Sequence, residues 1–544
     1  MAVARRAAQG QRCWPPLSTC ADLKVGPTLE SYARMIVLYN PKATKFRNRR
    51  LPLSILSIAA VLEGREEYAI VDGNVDPNAT QTLLALMHEK RVELLAVTVM
   101  PGPQTVSAVE SCREVRERYP EVPIVWGGYF PSNYTEAALN APYVDFAVRG
   151  QGEDTFLELL GAVREGTAGG RTLFGPTTGG RTVLGPSDRS GLKAIRGLSY
   201  KDSDRTSFHN PERHLRSINE FPWYPYHRID ATRYLLSTFL GRRTAVHQAS
   251  IGCPYRCNFC GVVTFSGSRE KMESPARTEA ILRHLATTYG VDAVQFYDNN
   301  FFLREDHARE LVDRMAPLGM RWWCEARADI MMRYSDATWE AIRRSGCAMI
   351  FFGVESGSNE TLKEMHKDLR VEDTLALASR IRRFNIIPEF SVIFGNPRDP
   401  EGDTRDCFKF VRKLKELNPD AEIVVEHYTP VPQRQRMYGN VEEQMHFPTT
   451  PDEWATERWQ RFATQKDPST PWLRRRTKRL VDNFELVVSS RWPTVQDIRL
   501  PGWGRWLLKI LSTWRYRLGI YAAPLELKWA QRVIDLRRPK AESL

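Results

Sequence analysis

Two trains of short apolar runs, each run followed by a stretch of helical spacing, constrain this chain more than any other feature of it. The first train holds Met35–Tyr39, Tyr68–Asp72, Leu94–Met100, Pro123–Trp126 and Val144–Val148. Helical spacing lies near 51–63, 78–90, 104–118, 133–140 and 154–164. Strands separated by helices need crossover connections, so they pair in parallel with both sheet faces covered. The pattern predicts an α/β fold that begins with a flavodoxin-like (Rossmann-type) sheet domain over 34–165. In such a sheet a ligand sits beyond the carboxyl ends of the strands. The sequence puts Met100–Pro103, the Gly127-Gly128 turn and Arg149-Gly150-Gln151-Gly152-Glu153 there. Glycines at those ends let a bulky planar or phosphorylated ligand approach the backbone.

The second train runs His247–Gly252, Ala293–Asp298, Arg321–Arg327, Ala348–Gly353, Glu389–Phe394 and Ile423–His427. Six strand–helix units predict a partial (β/α)6 TIM-like barrel over 241–436, with its reactive groups at the strand carboxyl ends. Directly after the first of these strands stands Gly252-Cys253-Pro254-Tyr255-Arg256-Cys257-Asn258-Phe259-Cys260-Gly261. The spacing is C-x3-C-x2-C, with no fourth cysteine nearby. Thiolates so spaced fit the iron ligands of a cubane cluster. Three protein ligands leave one iron open, and an open metal position can bind a reactant. The other reading is a zinc site with a distant fourth ligand, or three unrelated thiols. Nine cysteines, an odd number with three clustered, point to a reducing cytosol and metal binding rather than a disulfide framework. Cys324, Cys347 and Cys407 fall in strands or helices and read as core residues.

A chain of 544 residues should hold about two or three domains. It has no apolar run of about 18 residues, so no transmembrane helix is expected. Its start, Met1-Ala-Val-Ala-Arg-Arg, lacks an apolar stretch behind the basic residues, so no signal peptide is expected. Residues 166–240 read as a linker and connecting segment. They contain a near-duplication, Gly-Gly-Arg-Thr-Leu-Phe-Gly-Pro and Gly-Gly-Arg-Thr-Val-Leu-Gly-Pro. Residues 437–544 read as a helical C-terminal region. The net charge of +12 is compatible with nucleic acid, anionic lipid or anionic small molecules as partners, or with a surface solvated by arginine. Nothing reads as a helix-turn-helix, and no nucleic acid is expected. The basic-aromatic stretch Arg505–Arg517 reads as a helix that caps the barrel, a substrate lid or an interfacial helix drawn to anionic lipid.

Taken together, segment order and motifs over about 35–530 resemble the cobalamin-binding-domain branch of the radical S-adenosylmethionine (SAM) family. That branch includes the anaerobic magnesium-protoporphyrin oxidative cyclase and cobalamin-dependent C-methyltransferases. The resemblance implies that Cys253, Cys257 and Cys260 ligate a [4Fe-4S] cluster whose fourth iron is chelated by SAM. It implies that Phe259 packs near the adenine and that Asp298, Asn299 and Asn300 receive the SAM ammonium. Arg327 would pair with the SAM carboxylate, and Glu355 and Ser356 would bond ribose hydroxyls or the amino group. Ser391 and Gly395 would pass along the adenosyl part. Gly127, Gly128, Gly150, Gly152 and Glu153 would lie against cobalamin. The D-x-H-x-x-G cobalamin motif has no match, so the lower axial position is not expected to be filled by a histidine of that motif. The implied function is methylation of an unactivated carbon of a small-molecule or lipid-like substrate through a 5′-deoxyadenosyl radical. The alternatives are an oxidative cyclase or rearrangement enzyme, and a non-enzymatic cobalamin or redox sensor. An electron donor such as a flavodoxin or ferredoxin and a cytoplasmic location are implied with it.

Overall fold

The structure, a computed structural model, describes residues 34–168, 174–175, 183–184, 189–202, 206–432, 436–464 and 469–534. Five strands of the first train pair in parallel: β1 (Arg34–Asn40), β2 (Tyr68–Asp72), β3 (Arg91–Thr98), β4 (Ile124–Gly127) and β5 (Phe146–Val148). Their order is β2-β1-β3-β4-β5, the flavodoxin order, which reverses direction between β1 and β3. Alternate side chains enter two cores, as a period of two requires. Val37, Tyr39, Val97 and Trp126 fill one, and Ile36, Leu38, Ala96 and Val125 the other.

The expected linker contributes more than a connection. β6 (Phe174–Gly175) and β7 (Val183–Leu184), one from each near-copy, pair antiparallel. β8 (Leu198–Lys201) and β9 (Ser207–His209) then extend the first sheet from β5 in antiparallel fashion. An added strand satisfies the edge groups that β5 would otherwise present.

The second sheet opens with β10 (Thr244–His247). The sequence predicts one continuous strand from His247 to Gly252, and here the structure differs. The chain leaves the sheet after His247, because the Ala249 N–H donates to the Asp298 carboxylate at 3.2 Å. β11 (Ser250–Gly252) then pairs antiparallel with β12 (Glu270–Met272), which clamps the cysteine loop at both ends. Gly252 has φ 86°, and a side chain there would run into the Arg269 carbonyl. β13 (Ala293–Phe296), β14 (Arg321–Ala326), β15 (Cys347–Glu355), β16 (Ile387–Phe394) and β17 (Glu422–His427) complete six parallel strands, with β10 and β17 at the edges.

One face of this sheet carries Trp322, Cys324, Ile350, Phe352, Phe390 and Val392 beneath the helices. The inner face is apolar in its middle, where Ala293, Trp323, Met349, Phe351 and Val424 meet. At its amino-terminal floor Glu389 and Glu422 accept hydrogen bonds from Gln496 and from the Val495 N–H, so the tail of the chain closes that end. Cys324, Cys347 and Cys407 are buried free thiols, as core residues should be. The C-terminal helices join both cores. Trp454, Trp459 and Phe462 pack under the first sheet, and Phe484 stacks on Phe408 with ring centroids 4.0 Å apart.

Candidate active site at the cysteine loop

Gly252 delivers the chain into a loop whose backbone is tied from two sides. The Asn258 N–H donates to the Met365 carbonyl at 3.2 Å, and its side-chain amide donates to the Glu364 carbonyl at 2.9 Å. The Tyr438 N–H donates to the Asn258 carbonyl at 3.3 Å. Cys253, Cys257 and Cys260 all carry free thiols, and Cys257 is buried. Burial, with the neighbouring Cys257 charge, pushes the Cys260 thiol up to about 12. Burial raises the Cys253 thiol too. Three clustered sulfurs that repel one another as anions favour a polycationic guest, which releases their protons on binding. Among the described residues no group of His, Cys, Asp or Glu side chains is spaced to hold one metal ion. A cubane asks for something else, since each thiolate binds its own iron. The donor set therefore fits the cluster that the sequence implies.

Two cations flank the loop. The Arg327 guanidinium lies 3.5 Å over the Tyr255 ring, with Nη1 3.8 Å from the Cys257 sulfur. Its Nε donates to Asp329 at 3.0 Å and its Nη2 to the Lys367 carbonyl at 2.5 Å. Each of the three guanidinium nitrogens has a partner here, so Arg327 braces the loop. Lys367 itself donates to Glu355 at 2.6 Å and stands 5.8 Å from the Phe259 ring centre. Glu355, His366 and Asp368 all have positive φ, at 62°, 52° and 51°. Such backbone in residues other than glycine costs energy and concentrates at functional sites.

Acceptors line the carboxyl ends of the strands. Asp298 is buried, and burial pushes its carboxyl up to about 7. Glu270 is pushed up to about 8 by burial and by the Asp298 charge, with Ser250 beside both. The Asn300 amide is fully buried, with neither its oxygen nor its nitrogen partnered, whereas Asn299 is exposed. Glu426 is pushed up to about 7 by burial and the Glu355 charge, and the Ser391 hydroxyl bonds to it. Buried acceptors of this kind are costly unless a donor arrives, and a cationic ligand supplies one. The Ser356 hydroxyl donates to Asp403 on the helix Pro400–Leu417 at 3.0 Å. The Gly395 carbonyl accepts from the Trp472 indole at 2.9 Å, which pins the turn after β16.

The raised carboxyls carry a pH signature. Asp298 and Glu270 hold their protons more tightly in the folded chain than in the unfolded one, where carboxyls titrate near 4. That stabilisation is complete below about pH 4 and is lost as pH rises through about 7 and about 8. Thermal unfolding of the SAM-free protein should therefore lose stability between about pH 5 and pH 8. Glu270→Gln should make that slope shallower.

A cavity of about 210 Å³ lies where the carboxyl ends of the first sheet face the segments that flank the cysteine loop. Gly127, Gly128, Gly150, Gly152 and Glu153 all line it from the first sheet, and His247, Ile251 and Phe265 from the other side. A Cβ on Gly127 would meet no atom within 4 Å, so it would stand in the cavity itself. Two contacts close the rim. The Tyr129 hydroxyl sits on Gly261, leaving no room for a side chain there, and Gly150 sits against the Phe265 carbonyl. Sequence reasoning missed Tyr129, Glu270, Lys367 and Glu426. Glu426 alone carried a visible signal, a charge sharing the inward register of Val424 in an apolar strand.

Residues 43–160 match the family model of the B12 binding domain, and residues 248–411 match that of the Radical SAM superfamily. Together the two matches take up just over half of the chain. The chain is a radical SAM protein with a B12-binding domain. Its cofactors are therefore an iron–sulfur cluster, SAM and cobalamin. This radical SAM chain is similar to an uncharacterised methyltransferase, PH0819, of Pyrococcus horikoshii. The two are 24% identical over 67% of this chain and 73% of the relative. It is similar also to the anaerobic magnesium-protoporphyrin IX monomethyl ester cyclase of a Synechocystis species, at 23% identity over 70% of each chain. In fold it resembles the radical SAM methyltransferase TsrM of Kitasatospora setae, with a TM-score of 0.60 at 16% identity, over 92% of this chain and 99% of that one. Among the described residues no helix is long and apolar enough to cross a membrane.

Proposed function

We propose that this radical SAM enzyme transfers a methyl group to an unactivated carbon of a small molecule. The reading rests on one observation above all: the glycine-lined strand ends of the first sheet share one cavity with Ile251 and Phe265, which flank the cysteine loop. Cys253, Cys257 and Cys260 hold the cluster, and Asp298, Asn300 and Glu270 accept the ammonium of SAM. Glu426 and Ser391 face the rest of that ligand, with Phe259 along the adenine. Gly127, Gly128, Gly150, Gly152 and Glu153 hold cobalamin against the first sheet. When bound, these groups supply a carbon-centred radical and a transferable methyl group. The chain's own residues do the rest. Arg327 and the Lys367–Glu355 pair fix the loop and balance its negative charge. Trp323, Met349 and Phe351 keep water from the barrel interior.

The methyl reading is supported over the cyclase reading by the methyltransferases that recur among the similar proteins and folds. A soluble one-electron donor such as a flavodoxin or ferredoxin completes the partners, in a reducing cytoplasm suited to free thiols. The test is anaerobic reconstitution, chemical reduction and mass analysis with SAM carrying a labelled methyl group. 5′-Deoxyadenosine should form, and a candidate acceptor should gain one labelled methyl. Deoxyadenosine formed together with a ring closure and no methyl gain would favour the cyclase.

A further inference from the structure

The helix Gly502–Leu518 is built inside out for a soluble protein. Gly504, Leu508, Ser512 and Arg515 form its buried line, so mostly small or polar groups face the protein. Its large side chains face solvent: Trp506 is 65% exposed, Trp514 45% and Leu518 68%. Amphipathic surface helices put their apolar stripe toward the core. The next helix, Leu525–Val533, packs against it through Ala530 and exposes its own line, Leu525, Trp529 and Val533, four residues apart. Contiguous exposed apolar faces of this size mark interaction sites.

Charge identifies the occupant. Residues 498–534 contain seven Lys and Arg against one acid, Glu526, so half of the chain's net charge of +12 sits in this segment. Glu526 is already paired with Arg515 at 2.9 Å. Lys509, Arg517, Lys528 and Arg532 are exposed beside the apolar lines. A second copy of the chain would bring the same positive charge against this face, which is unfavourable. An extended anionic surface with an apolar interior matches both features. Tryptophan on an exposed helix, with cations alongside, suits the headgroup level of a bilayer.

We propose that these two helices seat the enzyme on an anionic lipid bilayer, with Trp506, Trp514 and Trp529 entering the headgroup region. Each exposed cation near such a surface adds to the attraction, and salt screens it. The binding is independent of the reaction assigned above.

The test is co-sedimentation of the full chain with vesicles of phosphatidylglycerol and phosphatidylcholine, against vesicles of phosphatidylcholine alone. The chain should pellet with the anionic vesicles at low salt, and its tryptophan emission should shift to the blue. Trp506→Ser/Trp514→Ser/Trp529→Ser should weaken that binding at least about tenfold, about 1.4 kcal/mol. Thermal unfolding checks that this variant is folded, as its exposed positions predict. Equal binding to neutral vesicles, or binding unchanged in the variant, would overturn the proposal. So would no binding to anionic vesicles, or a salt-resistant dimer that the variant dissolves.

Discussion

Cys257→Ala should leave a folded chain that no longer cleaves SAM under reducing, oxygen-free conditions. Cys257 is the buried member of the trio and sits beneath the Arg327 guanidinium. Removing it takes away one of only three protein ligands, so the cubane has nothing at that corner to hold it. The measurement is iron content together with 5′-deoxyadenosine formation, and both should fall to background. Arg327→Met makes the graded comparison. An outer partner of a metal ligand is worth about 10–100-fold in metal affinity or activity. That variant should therefore keep a reduced iron content and a measurable rate. If the two variants behaved alike, Cys257 would be a packing residue and the loop would be no cluster site.

Gly127→Phe should cost the protein its cobalamin while sparing its iron. Gly127 ends β4, and its missing side chain leaves open space where the cavity lies. Its φ is not in the left-handed region, so a side chain is tolerated by the backbone and the ring is driven into the cavity. Overpacking a filled site costs about 1–3 kcal/mol, which corresponds to about 5- to 150-fold in affinity. Titration of apoprotein with cobalamin, read from the corrin absorption, measures the loss. Iron content and the thermal midpoint should stay near those of the parent. Undiminished cobalamin affinity would move the corrin away from β4.

What could be read in advance followed the range of the interactions. The cysteine trio and the glycine turns after β4 and β5 are short motifs that carry their own chemistry, so a single pass along the chain finds them. The parallel pairing of the first sheet also follows from the alternation of strands and helices, whereas its strand order does not. The Lys367–Glu355 pair was not legible, because it joins a turn to the end of β15 through backbone at positive φ that no residue type announces. The break after His247 was hidden for a similar reason. It depends on Asp298, 49 residues further on, capturing the Ala249 N–H. The Ser356–Asp403 bond was not legible, because its partners stand 47 residues apart in the chain. Strands β8 and β9 were missed because they are short and sit in polar, glycine-rich surroundings.

The most direct test of the account is metal analysis of oxygen-free, reconstituted protein, combined with electron paramagnetic resonance of its reduced form before and after addition of SAM. The account predicts about four irons per chain and a signal that changes when SAM is added, because one iron has no protein ligand. Zinc in place of iron, or an iron signal indifferent to SAM, would contradict it.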